Sequence, residues 1–293
     1  MLPASFQCDP RHYQIAVLTT LLVCGTYLLG LPVGILDALV IMIAAQLTQF
    51  IGSRVVGQPF DPKSAMITAL SLTLLLRSDT VALLACAATA AIASKFLLRV
   101  GGKHVFNPAN FAIVLLILVS DRAWISTGQW GSTAISAFAL ACCGFLVLTR
   151  ARRAETTLAF LGSYALLLFC RAFWLGDPLS IPVHQLQNGA LLIFAFFMIS
   201  DPKTTPNAAS ARLLYGALVA GAAFVMQFVF YEPYGVMFAL FGCAWLVPVL
   251  DAVVHGNRYR WNKTISPSSA PQKKEFRYAT AVNAVHGHRH YHS

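Results

Sequence analysis

The chain has 293 residues, 57% of them hydrophobic and 11% charged, with a formal net charge of +10. Soluble domains carry about 25% charged residues, so the apolar surface of this chain has to face lipid rather than water. The basic balance is not a nucleic-acid signature, because the charges sit in the connections between apolar runs.

Apolar stretches fall at 13–30, 35–52, 64–77, 80–98, 108–120, 131–149, 157–175, 185–200, 210–230 and 235–253, about ten candidate transmembrane helices. Most approach the ~20 residues that cross a ~30 Å hydrocarbon core. The stretches 64–77 and 108–120 reach only about 20 Å at ~1.5 Å per residue. They are expected to be tilted, extended by their flanks, or half-helices buried beside an internal site. With the N-terminus inside, Arg54, Lys63, Arg99, Lys103, Arg150, Arg152, Arg153, Lys203 and Arg212 lie in or beside cytoplasmic connections. The opposite connections hold Arg77, Arg122 and Arg171. This asymmetry predicts two cytoplasmic termini. No cleavable signal is evident, and the first span is expected to insert the chain.

The predicted organisation is a cytoplasmic N-terminus over 1–12, a membrane domain over 13–255 and a flexible, basic, histidine-containing cytoplasmic tail over 256–293. The tail alternates His286, His288, His290 and His292 with other residues, without a fixed geometry that would hold a metal. Seven cysteines show no CxxC spacing, and adjacent Cys142 and Cys143 point to different helix faces, so cysteine reads as a small hydrophobe.

Three stretches carry unusual polarity. Asp61-Pro62-Lys63-Ser64, Asn107-Pro108-Ala109-Asn110 and Asp201-Pro202-Lys203-Thr204-Thr205 each set a capping residue before a proline, the order that starts a helix. A helix start at Asn107 offers free N–H groups to a phosphate, a carboxylate or a ring oxygen, with Lys103 and His104 adding positive field. Lys95 ends an alanine-rich, closely packing stretch, where it either snorkels to the interface or points inward to mark an ion or cofactor path. Asp201 is expected to pair with Lys203 or cap the next helix, with Thr204 and Thr205 as hydroxyl donors. Asp37 and Asp251 sit at span ends and read as interfacial. Asp-Pro-Lys recurs at 61–63 and 201–203, and Asn-Pro-Ala-Asn-Phe at 107–111 is loosely matched by Glu-Pro-Tyr-Gly-Val at 232–236, which suggests duplicated halves. No nucleophile–base pair, P-loop or HExxH is present, and no catalytic residue is assigned.

The stretch GALLIFAFFMISDPKTTP at 189–206 closely resembles the GGLLLGAFFMATDPVTSP segment of the NqrB/RnfD family, membrane subunits of ion-pumping electron-transport complexes. Gly102-Lys103-His104-Val105-Phe106-Asn107-Pro108-Ala109 is similar to that family's G-K-x-x-F-N-P-A element. Leu158-Ala159-Phe160-Leu161-Gly162 and the run from Tyr234 to Asp251 succeed it in the same order. The resemblance implies an all-α polytopic integral membrane protein of about ten helices in two related five-helix halves. It also implies placement in a bacterial inner membrane, other membrane subunits as partners besides the lipid bilayer, and a role in coupling electron transfer to ion movement.

One departure matters. The family's SGAT-type motif, whose threonine bears FMN through a phosphoester, is absent from 120–134, where Ser126, Thr127, Ser132 and Thr133 are the nearby hydroxyls. The expectation is therefore a noncovalent flavin, FMN or riboflavin, rather than covalent FMN. Its predicted contacts are Lys95, Lys103, His104, Asn107, Pro108, Asn110, Asp201, Lys203, Thr204 and Thr205; no metal ligands are assigned. The alternative is a non-redox transporter or channel for a small solute or ion on the same scaffold, and a third reading is an anchoring subunit without a ligand. Trp124 and Trp130 are expected to anchor at the interface.

Overall fold

The computed structural model describes residues 9–28, 30–126, 154–257 and 259. Helix dominates: α1 (Pro10–Leu28), α2 (Ile35–Val56), α3 (Pro62–Leu75), α4 (Val81–Leu97), α5 (Pro108–Val119), α6 (Ala154–Leu175), α7 (Ser180–Leu186), α8 (Gly189–Ile193), α9 (Ala209–Phe228), α10 (Gly235–Cys243) and α11 (Leu246–Val253). A π-helical turn, Phe194–Met198, continues α8. The described strands are short: β1 (Leu76–Ser78), β2 (Arg99–Val100), β3 (Lys103–His104) and β4 (Ala123–Ile125), paired β1 with β4 and β2 with β3.

The protein is an all-α membrane protein. Among the described residues, α2, α6 and α9 are long and apolar enough to cross a membrane. Two bent pairs bring the number of spans to as many as five, α7 with α8 and its π turn (50°) and α10 with α11 (45°). The predicted stretch 131–149 lies outside the described residues, together with Cys142, Cys143, Thr127, Trp130, Ser132, Thr133 and the histidine-bearing tail.

Both short stretches are helices with extended continuations. α3 ends after 14 residues and runs on as β1; α5 ends after 12, turns at 120–122 and returns as β4, antiparallel to β1. Their starts arise from local sequence. Asp61 Oδ1 accepts from the Ser64 N–H at 3.4 Å and Asn107 Oδ1 from the Asn110 N–H at 3.1 Å, each with proline at the first helical position. Elsewhere small residues set the packing. Ala87, Ala88 and Ala91 are buried on α4, which lies along α2. On α9 a Cβ at Gly216 would meet the Thr156 carbonyl oxygen at 2.6 Å, so glycine is what lets α9 lie against α6.

For orientation, the end of the bundle at which α1 begins is termed the near end and the other the far end. Ion pairs gather the near end: Arg11 to Asp9 and to Asp61 at 2.7 Å each, Lys103 to Asp251 at 2.7 Å, and Arg212 to Glu155 at 3.2 Å. The far end holds Arg122 with Asp79 and Arg171 with Asp177.

Candidate functional site

The segment from Gly189 to Ser200 is buried at every position, which makes it the central element of the second half. Asn188 starts it, its Oδ1 accepting from the N–H groups of Ala190 (2.8 Å) and Leu191 (3.3 Å). The helix then widens into the π turn, a feature that frequently marks functional sites because it shifts carbonyls out of the regular ladder. Three side chains reach those carbonyls: Thr157 Oγ1 donates to Ala195 O (2.6 Å), Ser200 Oγ to Phe196 O (2.5 Å) and Asn107 Nδ2 to Met198 O (3.2 Å). The first-half Asn107 helix start therefore docks directly on the end of the second-half π turn.

One turn into α5, Asn110 is 1% exposed, and neither its Oδ1 nor its Nδ2 has a partner among the described residues. It lies three residues after Asn107 and so on the same helix face. Thr205, 1% exposed, also has a hydroxyl without a partner among the described residues. A buried polar group left unpaired costs about 1–3 kcal/mol, so an amide with both functions open is set up to bond something else.

The loop after the π turn corrects one expectation. Asp201-Pro202-Lys203 does not start a helix: Asp201 Oδ1 accepts from the Lys203 N–H at 2.9 Å, and Asp201 O accepts from the N–H groups of Thr204 and Thr205 at 3.1 Å each. This closes a compact turn. α9 begins only at Ala209, with Ala208 as a cap lacking a side-chain bond. Burial raises the Asp201 carboxyl above the usual carboxylate range; the Lys203 N–H and the charges of Lys95, Lys203 and Lys103 oppose this. Those lysines are thus within electrostatic reach of the turn.

Two lysines are fixed by different partners. Lys103 Nζ donates to Thr205 O (2.7 Å), Asn207 Oδ1 (3.2 Å) and Asp251 Oδ2 (2.7 Å), while Asp251 Oδ1 accepts from the Asn207 N–H (2.7 Å). The β2–β3 hairpin is thereby clamped onto the last helix. Lys95 does not snorkel: it is 5% exposed, its ammonium donating to Ser64 Oγ (2.9 Å) and Gln49 Oε1 (3.2 Å). Its bonds therefore run to α2 and α3 rather than to α5. His104 Nδ1 is buried without a partner among the described residues. Burial, then the charges of Lys95, Arg99 and Lys203, push this imidazole down to about 3, against a backbone bond to Lys95. It is neutral at physiological pH.

Of the predicted contacts, Asn107 bonds the Met198 carbonyl at the end of the π turn, Asn110 donates its N–H to Asn107 Oδ1, Lys103 bonds Thr205 O, and Asp201 lies within electrostatic reach of Lys103. Pro108 contributes shape, having no N–H. Lys203 and Thr204 serve the turn through backbone N–H groups, and the Thr204 hydroxyl bonds Asp201 O at 3.4 Å. Thr157, Asn207 and the Met198 carbonyl carry no signal in the sequence that marks them. Asp251 looks interfacial from its position alone, yet an acid at a helix C-terminus opposes the helix dipole, and that is the available sign that a cation pairs with it. Ser126, one of the hydroxyls near the missing flavin-attachment motif, is buried, its N–H donating to Leu75 O at 2.9 Å.

The family described as "NQR2, RnfD, RnfE family" matches over residues 120–260. The chain is 34% identical over 97 residues to the D subunit of the ion-translocating oxidoreductase complex of Tolumonas auensis, covering 33% of this chain and 28% of that protein. To the corresponding protein of Vibrio atlanticus it is 35% identical over 111 residues, 37% of this chain and 32% of that protein. To that of Escherichia coli O1:K1 it is 29% identical over 131 residues, 45% of this chain and 33% of that protein. The aligned stretches span about a third of the length of these curated relatives. The likeness carried by the sequence at 189–206 is therefore a likeness to the NQR2, RnfD, RnfE family, and it holds over the part of the chain that contains the π turn and the Asp201 loop.

Proposed function

We propose that the chain is an RnfD-like membrane subunit of an electron-transport complex that couples electron transfer to ion movement, with a noncovalent flavin held where α5 meets the π turn. The observation that carries the flavin reading is the open amide of Asn110, buried one turn after Asn107, whose own side chain reaches the π turn. A flavin's pyrimidine edge sets one N–H donor between two carbonyl acceptors, which an amide meets with both of its functions. Asn107, Asn110 and Thr205 would hold it, and Lys103 and Lys95 would supply positive field. The flavin itself supplies one- and two-electron chemistry; the protein sets its position and surroundings. Partner membrane subunits and a bacterial inner membrane with both termini cytoplasmic belong to the same reading, supported by the names of the relatives and by the distribution of basic residues.

Purification of the full chain in mild detergent, followed by absorption near the flavin bands, tests this. The expected result is a yellow protein whose chromophore is released by acid precipitation, with Asn110→Leu colourless. A colourless wild-type protein that elutes and melts as a folded species overturns the flavin reading. The shortness of α3 and α5 favours the transporter reading as its competitor, and that reading predicts solute flux in proteoliposomes without any electron donor.

A further inference from the structure

The hairpin that joins α4 to α5 carries an arginine without a carboxylate. Gly101 (φ 56°) and Gly102 (φ 75°) make the tight turn that pairs Arg99 with His104 and Val100 with Lys103. Residues directly opposite one another in an antiparallel pair send their side chains to the same face. Arg99 and His104 therefore share one face of the hairpin, while Lys103 leaves the other to clamp Asp251.

Two nitrogens on the shared face are unmet. Arg99 Nη2 donates to Gly102 O at 3.1 Å, but its Nε is buried without a partner among the described residues, as is His104 Nδ1. An arginine that only follows the charge bias of the connections extends its guanidinium into water. One drawn in far enough to bury an unpaired N–H calls for an acceptor. The carboxylates of this end do not supply it: Asp251 is held by Lys103, and Asp201 accepts from the Lys203 N–H within its own turn. The charges that press on His104 are positive, Lys95 from α4, Arg99 from the hairpin and Lys203 from the Asp201 turn.

Cations gathered around two open nitrogens are complementary to a phosphate. A guanidinium meets phosphate oxygens with its planar fork. A phosphate beside Nδ1 also offsets the surrounding cations, so the imidazole keeps a second proton and becomes a donor. Depth points to where that phosphate comes from. Leu97, two residues before Arg99, is 79% exposed, and Val100, next to it, is 46% exposed. Apolar side chains open to lipid thus run up to Arg99, the level at which phospholipid headgroups lie, and basic pockets at helix ends hold such headgroups.

We propose that the Arg99–His104 face of the β2–β3 hairpin is a site for a phosphate group, with Lys203 beside it, filled by the headgroup of an anionic phospholipid. This is independent of the flavin reading: a protein without flavin leaves it intact.

The test melts the full chain, purified in mild detergent, against rising phosphatidylglycerol, phosphatidylcholine or inorganic phosphate. Phosphatidylglycerol is expected to raise the melting temperature of the wild type, and phosphatidylcholine to leave it unchanged. Arg99→Gln is expected to need about tenfold more phosphatidylglycerol for the same rise, because a charge-assisted contact is lost. Arg54→Gln, which removes an exposed arginine from the last turn of α2, is expected to match the wild type. A rise produced by inorganic phosphate and lost in Arg99→Gln keeps the site and overturns its lipid source. No rise with either phosphate compound, an Arg99→Gln titration like that of the wild type, or an equal loss in Arg54→Gln overturns the site itself. Should Arg99→Gln fail to fold, His104→Phe, which keeps a ring and loses both nitrogens, is read the same way.

Discussion

The same tripeptide, Asp-Pro-Lys, folds in two ways in this protein. At 61–63 it opens α3, with Asp61 accepting from the N–H three residues on; at 201–203 it closes a turn, with Asp201 accepting from the N–H two residues on. The next few residues decide between them. Ser64-Ala65-Met66-Ile67 can continue a helix, whereas Thr204-Thr205-Pro206 puts a second proline inside the first turns, where it would remove a hydrogen bond and force Thr205 out of the helical region. The consequence is functional. The first copy faces the surface and pairs with Arg11, while the second is packed beside the π turn among three lysines.

The largest effect that sharpens this contrast is expected at the clamp over the second copy. Lys103→Met leaves Asp251 without its cation in a site where both side chains are mostly covered, and should cost about 3 kcal/mol. Lys103→Met with Asp251→Leu should recover much of that loss, measured by denaturant titration in detergent; additive losses would break the argument that the pair is a buried unit.

Next, Thr157→Val keeps shape at a fully buried position but removes the donor to Ala195 O, and should cost about 2 kcal/mol. A loss under about 0.5 kcal/mol would mean that the π turn does not need this bond.

Third, Asp61→Ala removes a helix cap at the exposed copy and should cost about 1 kcal/mol. A cost as large as that of Lys103→Met would erase the distinction between the two ends of the comparison.

The smallest effect concerns pH. His104 is held near 3 in the folded protein but titrates near 6.5 when unfolded, so only the unfolded chain takes up its proton as pH falls below 6.5. Stability is therefore unaffected above the unfolded value and is lost as pH falls from there, by about 0.8 kcal/mol between pH 7.5 and 6. His104→Gln should lack this component of acid sensitivity. An unchanged pH profile in the variant would place the imidazole in contact with solvent.

Much of the fold is legible from local chemistry. The caps at Asp61 and Asn107, the shortness of α3 and α5, and the alanine packing face of α4 all arise from residues within one or two helical turns. The candidate site is legible only in part. Asn107 and Asn110 stand out because a cap motif points at them, but Lys95 could equally have snorkelled, since sequence gives the length of its side chain and not what surrounds it. Asp251 and Asn207 escape notice as partners of Lys103 because they lie 148 and 104 residues away from it in the chain.

Composition and periodicity by themselves determined that this chain is helical and lives in lipid, because 57% hydrophobic residues in runs of helix-spanning length admit no other solvent. Tertiary structure alone decided that the Asn107 helix start meets the Met198 carbonyl, that Lys95 turns inward to Ser64 and Gln49, and that Arg77 is buried with its guanidinium on the last carbonyls of α3. The first two are contacts between elements distant in sequence, and the energies of all three depend on which polar groups the packed bundle leaves without water.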